Sequence, residues 1–97
     1  MAIQWSDFAL QSLEDIIIWY EVEADRHVAD SIAARIFTQI EKMETFPMSA
    51  PVSEIFPGTR KVAIKNLPYV AFIRPIEDGM WKVVDIVHTA RKLPKSE

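Results

Sequence analysis

The side chains best suited to chemistry are cations in the second half of the sequence. Arg60, Lys61 and Lys65 lie on one predicted strand, Arg74 closes the next, and His88 and Arg91 finish the last. Cations held around a groove bind phosphate groups and stabilise the charge that develops in a phosphoryl-transfer transition state. A histidine beside them can act as acid or base. Each side chain also has an ordinary structural role. Lysine on an exposed strand, as at Lys61, Lys65 and Lys82, protects against edge-to-edge aggregation. His88 alternates with Ile86 and Val84 and reads as a satisfied histidine at a core margin. Arg91 is harder to assign to a solvated tail than Lys95, because it directly follows the last strand.

Other chemistries lack their residues. Gly58 and Gly79 are the only glycines, so no glycine-rich phosphate loop can form. There is no cysteine, which removes disulfides and thiolate metal sites and suits a reducing cytosol. His27 and His88 lack the paired spacing of metal ligands. None of the serines (6, 12, 31, 49, 53, 96) sits in a nucleophile elbow. The acids fall on predicted helices at solvent-facing intervals, which argues against paired-carboxylate hydrolysis. The expectation is a protein without metal or cofactor.

The elements that must position these groups follow from periodicity. Ile3-Gln4-Trp5 alternates as a short strand. Ser6 and Asp7 are a cap residue and a first-turn acid, and they open a helix over about 6–23. Its apolar stripe is Leu10, Leu13, Ile17 and Tyr20, widened by Phe8, Ile16 and Trp19. Gln11, Ser12, Glu14 and Asp15 fall opposite. Asp25 caps a second helix with the stripe Val28, Ile32, Ile36, Ile40 and Met43, and Pro47 stops it. So short a connection makes the two helices antiparallel.

Residues 47–58 read as loop with a short edge strand at Val52 to Phe56. Strands follow at Thr59 to Lys65, Tyr69 to Pro75 and Trp81 to Ala90, with a hairpin turn at Glu77-Asp78-Gly79. Both faces of the last strand, Val83/Asp85/Val87 and Lys82/Val84/Ile86/His88, are partly apolar, which predicts a central place in the sheet. The result is an α+β domain: an N-terminal strand and an antiparallel helix hairpin on one face of a three- to four-stranded antiparallel sheet. Two helices can cover only one face, so the other is solvated or belongs to a partner.

The totals agree. Ninety-seven residues, 49% hydrophobic and 26% charged, make one globular domain spanning 1–97. The N-terminus lacks the basic start and long apolar run of a signal peptide. Apolar runs such as Ile16 to Tyr20 fall far short of the ~20 residues that span a bilayer. A soluble, cytoplasmic protein is expected. The net charge of −3 hides a polarity: residues 1–50 carry three basic and nine acidic side chains, residues 51–97 eight and five. Such a chain can present a basic face to an anionic partner while remaining acidic overall.

In sequence order, these features resemble the ParE/RelE superfamily of type II toxin–antitoxin toxins. The resemblance covers nearly the whole chain. It rests on the Trp5-Ser6 start, the Ala9…Leu13…Ile16…Tyr20 helix and a second helix ending at Phe46-Pro47. It continues with Pro57-Gly58-Thr59-Arg60, then Leu67-Pro68-Tyr69-Val70-Ala71-Phe72, and closes on Val83-Val84-Asp85-Ile86-Val87-His88-Thr89-Ala90-Arg91. The strand ending in His-x-x-Arg is its most characteristic part.

The resemblance implies a toxin held inactive by a cognate antitoxin whose flexible segment wraps it, in a toxin–antitoxin hetero-oligomer of the kind tied to plasmid stabilization. RelE-like toxins cut messenger RNA in the ribosome, whereas ParE-like toxins inhibit DNA gyrase. A metal-independent endoribonuclease of the RelE type would draw on Arg60, Lys61, Lys65, His88 and Arg91. No tyrosine follows Tyr69, however, and His88 lies within a strand rather than in a tail. The His88-to-Arg91 ending is closer to ParE. The leading expectation is therefore a gyrase inhibitor that acts by binding, with Arg60, Lys65, Arg74, His88 and Arg91 as contact candidates. The alternatives are a ribosome-dependent nuclease and a degenerate member that only binds antitoxin.

Overall fold

Ser6 turns the chain from strand to helix in a single residue. The computed structural model describes residues 2–77 and 79–90. Within them β1 (Ala2–Trp5) leads through Ser6 into α1 (Asp7–Glu23), followed by α2 (Arg26–Glu41). Ser6 is extended, and its Oγ accepts the Ala9 N–H at 2.9 Å, which satisfies one of the orphan donors of α1. Asp25 does the same for α2 through the Val28 N–H, also at 2.9 Å. Two 3-10 turns, Lys42–Glu44 and Pro47–Ser49, carry the chain away from α2, the second opened by the expected proline.

Helix burial follows the predicted stripes only in part. On α2, Ala29, Ile32, Ile36 and Ile40 are buried and Met43 continues the row, but Val28, expected to open it in the first turn, is exposed. On α1 only Ala9 and Leu13 are fully buried, with Ile16, Ile17 and Tyr20 half-buried against the core. Phe8, Leu10 and Trp19, all assigned to the stripe, are exposed. Ser12, assigned to the polar side, instead faces the sheet. The cause is composition: α1 carries apolar residues on most of its circumference, so periodicity alone cannot select the buried arc.

The sheet comprises β1, β2 (Arg60–Ala63), β3 (Tyr69–Glu77) and β4 (Met80–His88), in the order β1-β4-β3-β2. β2, β3 and β4 are antiparallel as expected, and β4 is central. β1 differs: it runs parallel to β4, with Ala2 opposite Met80 and Trp5 opposite Val83. Hairpins force alternation of direction, but β1 is separated from β4 by helices, and nothing in its connection fixes it antiparallel. The edge strand expected at 52–56 is reduced to one bridge, Val52 to Arg60. Pro75 lies inside β3 but beyond the last β3 residue that pairs with β2, so no β2 ladder bond depends on its missing N–H.

One irregularity reorganises the site. Ile73 pairs with Val83 while Phe72 pairs with Asp85, so β4 carries an extra residue, Val84, in a β-bulge. A one-residue slip moves every later side chain to the other face. Trp81 and Val83 face the helices before the bulge, and Ile86 and His88 face them after it. The two faces read from simple alternation are thus exchanged halfway along the strand.

The cap residue Ser6 and the Ser12 side chain of α1 hold the bulge. The Ser6 hydroxyl donates to the Val84 carbonyl at 3.0 Å, and the Ser6 N–H donates to the Val83 carbonyl at 3.0 Å. Asp85 Oδ1 accepts both the Ser12 hydroxyl at 2.7 Å and the Ile86 N–H at 2.8 Å. Ser6 is therefore helix cap and bulge clamp at once.

The sheet face away from the helices is not fully bare. Phe72 is 1% exposed and lies outside the helix-side core. Phe56 covers it edge-to-face, with ring centroids 4.7 Å apart. The loop carrying Phe56 is closed on itself: buried Ser53 accepts the Ile55 and Phe56 N–H groups, and buried Thr59 donates to the Phe56 carbonyl. Gly58, at φ +81°, supplies the left-handed turn residue that completes it.

Removing the clamp should loosen α1 from β4. Ser6→Ala loses a helix cap and leaves the Val84 carbonyl without its hydroxyl partner, for an expected cost of about 1–2 kcal/mol in urea unfolding. Ser12→Ala removes a hydrogen bond to a carboxylate and should cost a similar amount. No change in either variant would show that the bulge does not need α1.

Candidate functional site

The bulge brings the end of β4 against the flank of α1, and a cleft of about 450 Å³ opens between them. Ser12, Asp15, Ile16, Trp19 and Tyr20 recur at intervals of three and four, which places them along one side of α1. Tyr69 and Ile86 form the floor, and His88 closes the end. Tyr69 and His88 are direct cross-strand partners, with rings edge-to-face at 5.2 Å. Trp19 and Tyr20 make a second edge-to-face pair at 4.9 Å.

His88 is oriented by the backbone that follows it. Its Nδ1 accepts the Ala90 N–H at 3.0 Å. A ring nitrogen that accepts carries no proton, so in this arrangement the neutral ring bears its hydrogen on Nε2. As expected, His88 sits at the margin of the core, with one nitrogen already committed.

The predicted basic residues do not join it. Arg60 lies on the helix side at the other end of the sheet, where its Nη1 donates to the Ala50 carbonyl at 2.6 Å. Lys65 follows β2 and lines a shallow depression against Arg35, Thr38 and Gln39 of α2. Lys61 projects from the outer face, since it pairs with Phe72 rather than with the helix-facing row. Arg74 also lies on the outer face. Arg91 lies outside the described residues. Among the described residues, strand alternation and the bulge send Arg60, Lys61, Lys65 and His88 to separate surfaces rather than around one groove.

What the outer face does assemble is a row that spacing along the chain does not group. Gln4, Lys82 and Arg74 are successive cross-strand partners on β1, β4 and β3. Lys61 lies one row further along. Lys82 had only a protective role in the sequence reading, because which residue would stand opposite it depends on a register that a single strand does not reveal. Arg74 and Lys82 are like charges set directly opposite, an arrangement that costs stability. Among the described residues neither is paired with a carboxylate. Beyond Phe72 the same face becomes apolar, with Ala63, Val70 and Val87. Trp19, Tyr20 and Asp15 were also missed as site residues. Their three- and four-residue spacing was visible, but only the fold sets it against His88.

The chain superimposes with a TM-score of 0.82 on a chain of the chromosomal ParDE TA system from P. aeruginosa, at 21% identity, covering 91% of this chain and 95% of that one. The family model for the ParE toxin of the type II toxin-antitoxin system parDE matches residues 3–93, and the chain belongs to that family. No curated protein matches it by sequence. Among the described residues no helix is long and apolar enough to cross a membrane.

The opposed cations make a prediction about stability. Lys82→Glu turns a repulsive cross-strand pair into an attractive one, and should raise stability by roughly 0.2–1 kcal/mol in urea unfolding. Added salt should shrink the gain. A loss of stability would mean that the Lys82 stem contributes more through packing than its charge costs.

Proposed function

We propose that this ParE-family toxin inhibits DNA gyrase by binding it, through the basic row on the outer sheet face. In this reading it has no chemistry of its own, and a cognate antitoxin restrains it in the cytoplasm. The observation that carries the reading is the separation, among the described residues, of His88 from Arg60, Lys61, Lys65 and Arg74. Metal-independent RNA cleavage needs an acid or base within hydrogen-bond reach of the same phosphate that the cations hold. Here the described cations lie on the outer face, under the 50–59 loop and against α2, while His88 looks into an aromatic cleft on the helix side. A binding surface has no such requirement. Arg74 and Lys82, set opposite each other at a cost in stability, fit selection for contact with an anionic partner surface.

Purified toxin should inhibit supercoiling by gyrase in vitro, or trap cleavage complexes. The double variant Arg74→Glu/Lys82→Glu should weaken inhibition by at least about tenfold, a loss of roughly 1.4 kcal/mol or more, while remaining folded. The same variant should relieve growth arrest when the toxin is induced without antitoxin. Specific cuts in ribosome-bound messenger RNA, lost in His88→Ala or Arg60→Ala, would overturn the proposal in favour of a nuclease. Absence of any growth effect from the wild-type chain would favour a member that only binds antitoxin.

A further inference from the structure

We infer that the cleft between α1 and the end of β4 is the receptor for an arginine side chain of the antitoxin. This deepens the reading above and rests on its antitoxin half. The size fits: about 450 Å³ lies at the lower end of ligand pockets and admits one long side chain. The walls fit as well. Trp19 is 55% exposed, and its edge-to-face contact with Tyr20 uses one face of one ring, leaving other ring faces able to stack a guanidinium.

The charge selects a cation. Asp15 is the one carboxylate in the described lining, and His88 Nδ1 is already occupied by the Ala90 N–H. Its Oδ1 takes a bond from Gln11 Nε2 at 3.1 Å, which leaves Oδ2 to accept a donor. The Ser12 hydroxyl gives its proton to Asp85, so toward the cleft it can only accept. Two acceptors and aromatic faces, on the half of the chain that carries nine acids against three bases, complement a planar cation with several donors.

The surroundings indicate that this cation belongs to a polypeptide rather than to a free small molecule. Phe8 and Val22 continue the line of Ser12, Asp15 and Trp19 along α1, and are 67% and 74% exposed. A free ion would leave both in water. A segment that lays apolar residues on Phe8 and Val22 and inserts an arginine between them would cover all three positions, the usual geometry of an anchored helix or strand.

Two measurements test this. The first titrates isotope-labelled toxin, made by cell-free synthesis, with N-acetyl-arginine methylamide or with its uncharged citrulline analogue. The Trp19 indole and the amides of Asp15 and His88 should shift with the arginine compound only. Asp15→Asn should weaken that response at least fivefold while the circular dichroism is unchanged. Equal shifts with citrulline, or no effect of Asp15→Asn, would overturn the cation site whatever the antitoxin does. The second measures affinity for the antitoxin encoded with the toxin. Asp15→Arg should weaken the complex at least tenfold, and alanine at one antitoxin arginine should show no further loss in that background. A tight complex indifferent to Asp15→Arg would overturn the inference and leave the antitoxin reading intact. No complex with wild-type toxin would refute the antitoxin reading, with the titration still deciding the chemistry of the cleft.

Discussion

The fold depends on how α1 grips the bulge in β4. A bulge leaves backbone groups out of the ladder, and buried groups of that kind are costly unless they find partners. Here Ser6 supplies a hydroxyl to Val84 and an N–H to Val83, and Asp85 bonds both Ser12 and the Ile86 amide. The helix that begins at Ser6 is thereby fixed in position along the strand it covers. The bulge in turn decides which residues of β4 meet that helix, so Ile86 and His88 are core-side only because Val84 is there. Packing, helix docking and cleft formation are one linked arrangement rather than three independent features.

From this follows a division of labour between surfaces. The helix side beyond the core is aromatic and acidic, centred on Trp19, Tyr20, Asp15 and His88. The outer sheet face is basic at one end and apolar at the other, with Phe56 laid over Phe72 between them. A nuclease site would require these to meet. Among the described residues the two surfaces stay apart, each with its own chemistry.

Much of the architecture was legible in the sequence because local chemistry and global fold agree there. Ser6 and Asp25 are good caps and do cap. The α2 stripe is unambiguous because polar residues fill its other face. The hairpin between β3 and β4 was marked by Gly79, which takes φ +69°, although Asp78 lies outside the described residues. The failures share a cause: each turned on a relation between elements. Leu10 and Trp19 cannot be separated from Leu13 by periodicity, because apolar residues lie on most sides of α1. Alternation along β4 gave no sign of the bulge, since Val83, Val84, Ile86 and Val87 are interchangeable in pattern. The candidate cations form one group in the sequence because they fall on or end the strands of one sheet, whereas alternation along each strand sends them to opposite faces. The parallel placement of β1 is likewise a tertiary choice that Ile3-Gln4-Trp5 does not encode.

The outer row of Gln4, Lys82 and Arg74 has a consequence for how the molecule travels. Acids are exposed along both helices, while Arg74 and Lys82 stand on the far side of the sheet. In the field of a polyanion such a body rotates before it touches. Near a polyanionic surface the domain would arrive with Arg74 and Lys82 foremost and the helices outward. Orientation at encounter would thus be chosen before any contact forms, and the helical side would still point toward solvent when the sheet side docks.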